Sequence, residues 1–173
     1  LPRLTRTLLL IEAAFQLDRP AKDRSETTVL IVHVTRESVH WVNVGDSFLW
    51  VLGQGLESGA DLLNERGMHF MGNFSLAASS GITSGGRPLL AGERLLLASD
   101  GIEPQASGLE TAQVAEFLRG GDLSSELEAL ATRACDEAQG GGRDNLALIY
   151  LDPAGLEGDP GGGSAPPPGA SLA

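Results

Sequence analysis

The feature that most constrains this chain is the apolar, β-branched run at residues 27–34 (TTVLIVHV), followed after four turn-like residues by the alternating stretch 39–44 (VHWVNV). β-Branched side chains suit the pleated surface of a strand. A nearly continuous apolar run is the pattern of a strand covered on both faces. With the turn at residues 35–38 between them, the two stretches predict an antiparallel hairpin. After the Gly45-Asp46-Ser47 interruption, residues 48–52 (FLWVL) predict a third strand.

Around these strands the periodicity changes. Residues 5–17 place Leu8, Ile11, Ala14 and Phe15 at helical spacing, which predicts an amphipathic helix. Residues 18–26 contain Pro20 and read as a loop. Residues 61–84 show no clear period, and Gly85, Gly86 and Pro88 read as a turn. Residues 93–98 (ERLLLA) predict a buried strand ending at Ser99-Asp100-Gly101. Helices are predicted over 111–118 and 124–138, the second closed by Gly140, Gly141 and Gly142. Residues 145–151 (NLALIYL) predict the last strand. Helix, three strands, irregular stretch, strand, two helices and strand is not the alternation of a parallel doubly wound sheet. It predicts an α+β layered domain with antiparallel strands and grouped helices.

At 173 residues the chain fits one domain without disulfide or zinc staples. We expect the folded part over residues 1–152. Residues 153–173 are rich in Pro, Gly, Ala and Ser and are expected to be a disordered tail, because they carry too little apolar surface to offset ordering entropy. The 12 Lys+Arg against 23 Asp+Glu argue against nucleic acid or an anionic membrane as partner. No run of about 20 apolar residues exists to span a bilayer, and no signal-peptide pattern is present, so a cytoplasmic setting is expected. The single Cys135 is read as a small hydrophobe on a helix rather than a reactive thiol.

Three Asp residues stand where a predicted strand stops beside Gly or Asn: Asp46 between Gly45 and Ser47, Asp100 between Ser99 and Gly101, and Asp144 before Asn145. Gly beside such an Asp lets the backbone turn sharply and leaves the carboxylate open. Carboxylates converging at one sheet edge make a hard-oxygen site suited to Mg²⁺ or Mn²⁺. Taken singly, each Asp reads as a turn former, because its side chain bonds its own backbone.

Taken together, the series TTVLIVHV…VHWVNVGDSFLWVL, GERLLLASDGI and GGRDNLALIYL resembles the C-terminal motifs of the metal-dependent protein phosphatases of the type 2C fold, over about residues 5–151. The resemblance implies an α-β-β-α sandwich of two antiparallel sheets flanked by helices. It implies Mg²⁺- or Mn²⁺-dependent hydrolysis of phosphoserine and phosphothreonine in phosphoprotein substrates, in opposition to a protein kinase. It makes Asp100 and Asp144 ligands of a two-metal centre, Asp46 a contributor to a third metal, and Asn145 a neighbour that shapes the centre. Gly45, Ser47, Ser99 and Gly101 support them.

The family's upstream elements, an early Asp-bearing strand, an Asp-Gly-x-Gly-Gly loop and a phosphate-holding Arg, have no counterpart here. Only 26 residues precede Thr27, and the chain starts with Leu1. The expectation is therefore a phosphatase of which this chain is the C-terminal part, with its fold incomplete at the N-terminus. The alternative is a catalytically inactive, phosphatase-like binding or regulatory module. Phe48 stands where the family often has Arg and is expected to pack. Residues 68–76 (MHFMGNFSL) are read as satellite core. His33 and His40 are expected to be structural, with no metal-ligand partner at a useful spacing. His69 lies near the loop that would face the site.

Overall fold

The computed structural model describes residues 2–18, 26–53, 55–56, 59–67, 69–72, 81–119 and 121–156. Helix α1 (Pro2–Asp18) precedes strands β1 (Val29–Val34), β2 (Ser38–Val44), β3 (Phe48–Leu52), β4 (Ala60–Leu62), β5 (Thr83–Pro88) and β6 (Arg94–Ala98). Helices α2 (Pro104–Ser107), α3 (Thr111–Phe117) and α4 (Leu123–Ala134) follow, then β7 (Leu148–Leu151). The strands form two antiparallel sheets, one in the order β1-β2-β5 and one in the order β4-β3-β6-β7.

Side-chain alternation shows why the layers stack. Along β3, Leu49 and Val51 join Val39, Trp41 and Leu95 in the core between the sheets. Phe48, Trp50 and Leu52 point the other way, into a core with Leu96, Ile102, Leu109, Val114 and Leu130 under the α2–α4 layer. Along β2, Val42 and Val44 turn outward to meet Leu8 of α1. Both faces of β2 and β3 are thus covered, which accounts for their almost continuous apolar sequence. The result is a four-layer α-β-β-α sandwich of the expected α+β class.

The hairpin forms as expected, with Val29 opposite Val44 and Val34 opposite Val39. Several expectations need correction. The turn read at Gly85-Gly86-Pro88 is strand β5, paired to β2 with Trp41 opposite Gly85. A β-carbon on Gly85 would come to 2.2 Å from Trp41 Cζ2, and one on Gly86 to 2.2 Å from His40 Nδ1. These glycines mark a strand crossed closely by rings, not a turn. α1 buries Leu8 and Glu12, with Leu4 half-buried beside them, while Ile11 and Ala14 are exposed; Glu12 turns inward to accept a hydrogen bond from the Gly72 amide at 3.0 Å. The last helix stops at Ala134, and a separate 3₁₀ turn over Glu137–Gln139 reaches Gly140. The last strand begins at Leu148 instead of 145, for a reason that belongs to the site.

Cys135 is exposed, contrary to the reading of it as a packed hydrophobe. It caps the end of α4, one residue beyond the buried Leu130–Ala134 face. Met71 is buried against Leu8, Val42 and Val44 and bridges Thr27, as satellite core should. Met68 and residues 73–76 of that stretch lie outside the described residues, as does most of the loop expected over 18–26. Residues 153–156, assigned to the tail, still form a 3₁₀ turn with Pro153 buried; residues 157–173 lie outside the described residues.

Candidate metal centre

The first carboxylate is positioned by the turn between β2 and β3. Gly45 has φ 106°, and a β-carbon there would lie 2.6 Å from Thr28 Cγ2. Only glycine takes that conformation in that space without strain. Asn43, buried in the inter-sheet core, donates through Nδ2 to the carbonyls of Gly45 at 3.0 Å and Glu65 at 3.1 Å. Asn64 donates to the Ser47 carbonyl at 2.8 Å and accepts from the Leu49 amide at 2.7 Å. Ser47 donates to Thr28 Oγ1 at 3.1 Å. Segment 64–67 therefore acts as a brace that fixes the turn and with it the half-buried Asp46.

The second and third carboxylates are built as one unit. β6 ends at Ala98, and Asp100–Ile102 forms a 3₁₀ turn. The Ser99 hydroxyl donates to the Asn145 carbonyl at 3.1 Å and accepts from the Ala147 amide at 2.9 Å. The Ser99 amide donates to the Ala147 carbonyl at 3.0 Å. Gly101 is pressed against the Asn145 backbone, leaving no room for a side chain. Residues 145–147 are thus held by Ser99 and Gly101 and not by a strand ladder, which is why β7 starts late. Asp144 is exposed and accepts the Asn145 amide at 2.7 Å.

Asp100 feels the other two carboxylates. The Asp100 carboxyl is held above its ordinary value, first by burial, then by the negative charges of Asp46 and Asp144, and least by Glu103; its own backbone amide partly offsets this. Crowded carboxylates of this kind favour a neutralising cation. Among the described residues, no three His, Cys, Asp or Glu side chains close into a cage for a metal ion. The donor set fits a hard cation of the Mg²⁺ type held by one or two carboxylates and completed by water.

Two residues at this site carry no local sequence signal. Arg66, in the bracing segment, donates from Nε to the Asp46 carbonyl at 2.5 Å and pairs with Glu103. Its guanidinium carbon lies 3.7 Å from the centroid of the Phe48 ring. Phe48 packs as expected, stacked on Trp50 at 4.4 Å, yet it also floors the site through Arg66. Glu103 follows Asp100 by three residues, a spacing that places it on the same turn. Elsewhere, strand register brings His33 opposite His40, with ring centroids 6.5 Å apart, a pairing that sequence spacing did not suggest. His69 is exposed beside Gly81.

No family model matches the sequence, and no curated protein sequence is significantly similar to it. The fold does match solved structures. A bacterial serine phosphatase superposes with a TM-score of 0.66 at 16% identity, over 83% of this chain and 64% of that one. The Mycobacterium tuberculosis serine/threonine phosphatase PstP gives 0.62 at 18% identity, over 82% and 65%. The PstP catalytic domain in complex with two manganese ions gives 0.56 at 17% identity, over 84% and 80%. The chain therefore has the fold of bacterial type 2C serine/threonine phosphatases, and it spans just under two thirds of the first two.

Proposed function

We propose that this chain is the C-terminal part of an Mg²⁺- or Mn²⁺-dependent serine/threonine protein phosphatase, acting on phosphoproteins in the cytoplasm in opposition to a protein kinase. The observation that carries the reading is that the 145–147 segment is held against the Ser99–Gly101 turn, beside Asp100, with the charges of Asp46 and Asp144 both acting on the Asp100 carboxyl. The phosphatase fold supports it. No helix among the described residues is long and apolar enough to cross a membrane.

Asp100 and Asp144 would hold the centre, with Asp46 beside them for a further cation and Asn145 shaping the loop. Bound divalent cations supply an activated water, grip phosphate oxygens and neutralise the charge of in-line displacement. The chain's own contribution is positional. Ser99 and Gly101 hold the 145–147 segment beside the Asp100 turn, and the brace over 64–67 fixes the turn that carries Asp46. A substrate phosphate would bring further negative charge to these carboxylates, so productive binding would depend on the cations.

The test is phosphate release from a phosphothreonine peptide by the protein at its full natural length, with Mn²⁺ and with EDTA. Mn²⁺-dependent turnover is expected. Asp100→Asn or Asp144→Asn should lower it beyond the roughly 10–100-fold typical of outer-shell changes. Wild-type turnover in either variant would remove that residue from the centre. A second reading, a binding module without turnover, is favoured by the absence, among the described residues, of three His, Cys, Asp or Glu side chains grouped to hold a metal ion. Saturable phosphopeptide binding with no hydrolysis would establish it.

A further inference from the structure

Arg66 joins the two turns that carry Asp46 and Asp100. Its Nε bonds the Asp46 carbonyl, and a terminal nitrogen pairs with Glu103. The Glu103 amide in turn donates to the Asp100 carbonyl at 2.8 Å. The guanidinium plane rests on Phe48 at the start of β3. One rigid group thus spans the β2–β3 turn, the turn after β6 and the first residue of β3. Both partners of the ion pair are about a quarter to a third exposed, at 26% and 31%, so the clasp lies at the mouth of the site and not in the core.

We propose that Arg66 is the positioning residue that sets how closely Asp46 approaches Asp100. The proposal rests on reading those two carboxylates as cation ligands. Without a cation, the charges of Asp46, Asp144 and Glu103 act against an ionised Asp100, and the turns that bear them have reason to separate. Arg66 opposes this in two ways. It neutralises Glu103, and it ties the Asp46 backbone to the same group. A planar fork of fixed donors stacked on a ring does this; a lysine ammonium, a single point on a flexible stem, does not span both partners. Arg66 touches no reacting atom and is not a catalytic residue.

The sign of one effect separates this role from a bystander's. Removing a positive charge beside a cation site by itself tightens cation binding. Releasing the clasp loosens it. In the full-length protein, Arg66→Met and Arg66→Lys are each expected to weaken Mn²⁺ binding by about tenfold, the lower end for outer-shell groups, with no rescue by the lysine charge. In the metal-free protein, hydrogen exchange at the Gly67 amide, bonded to Gly45, and at the Glu103 amide should accelerate together in both variants. Mn²⁺ binding that is unchanged or tighter in Arg66→Met overturns the proposal, as does unchanged exchange at either amide. Should Arg66→Met not fold, Arg66→Lys carries the test alone, because it keeps the charge and removes only the fork: weaker Mn²⁺ binding with faster exchange at both amides is expected, and unchanged binding overturns the proposal. If the wild-type protein binds no Mn²⁺ while exchange accelerates as stated, the phosphatase reading falls and the clasp stands.

Discussion

Gly101 lies so close to Asn145 that a β-carbon on it would sit 2.3 Å from the Asn145 carbonyl oxygen. The obstacle is backbone, which cannot swing aside as a side-chain tip does. Gly101→Ala must therefore push the 144–146 segment away from the Asp100 turn. Overpacking of this kind costs about 1–3 kcal/mol. The expected outcome is a lower Tm together with weaker Mn²⁺ binding by calorimetry, because Asp144 moves with the segment. Ser99→Ala removes two hydrogen bonds at an accessible place and should cost less, about 0.5–1.5 kcal/mol. A harmless Gly101→Ala would mean that the two turns are not locked as described.

The glycines of β5 make a second, separable test. Gly85 faces the ring of Trp41, which is buried between the sheets at 8% exposure, whereas Gly86 faces the half-buried His40. Gly85→Ala should destabilise by at least about 1–3 kcal/mol, since the indole has nowhere to go. Gly86→Ala should cost less, because Gly86 is exposed and His40 is only half-buried. Urea denaturation of the two variants checks the order, and equal losses would contradict it.

Helix α4 supplies a prediction that leaves the site untouched. Asp122 caps it, accepting the Ser125 amide at 2.8 Å, and this bond holds the Asp122 carboxyl below its usual range. A carboxyl whose folded pKa is depressed contributes stability above its unfolded pKa and loses it as pH falls through the folded value. Asp122→Ala should therefore lower the Tm at neutral pH, and the difference from wild type should shrink in strong acid. Thermal scans across the carboxylate range measure it. A difference that grows on acidification would exclude the cap as its source.

What the sequence made legible follows from how each feature is encoded. β1, β2, β3 and β6 are written locally, since strands covered on both faces need unbroken apolar runs such as TTVLIVHV and FLWVL. Asp46 and Asp100 stand where such runs stop beside Gly, and Asp144 stands just ahead of one, which is what marks them out in the sequence. β5 was hidden because its glycines make room for Trp41 and His40, about 45 residues earlier in the chain. The start of β7 was misplaced because the Ser99 hydroxyl, and not a ladder partner, holds residues 145–147. Arg66 and Glu103 stand 37 residues apart, and nothing in either neighbourhood announces the other. Contacts that exist only once the layers stack leave no periodic trace.

Asp100 itself offers the sharpest test, because the candidate site costs the metal-free protein stability. Burial, then Asp46 and Asp144, raise its carboxyl above the unfolded value. For an acid shifted in this direction the ionised form opposes folding. The penalty is complete above the folded pKa and disappears as pH falls to the unfolded pKa. In EDTA at neutral pH, Asp100→Asn is therefore expected to have a higher Tm than wild type, and the advantage should vanish on acidification through the carboxylate range. Saturating Mn²⁺ should reverse the order, since a ligand that binds only the folded state raises its stability. Differential scanning fluorimetry with EDTA or Mn²⁺, at neutral and acid pH, gives all four conditions. A lower Tm for Asp100→Asn in EDTA at neutral pH would show that Asp100 stabilises the empty fold, and the picture of crowded carboxylates awaiting a cation would be wrong.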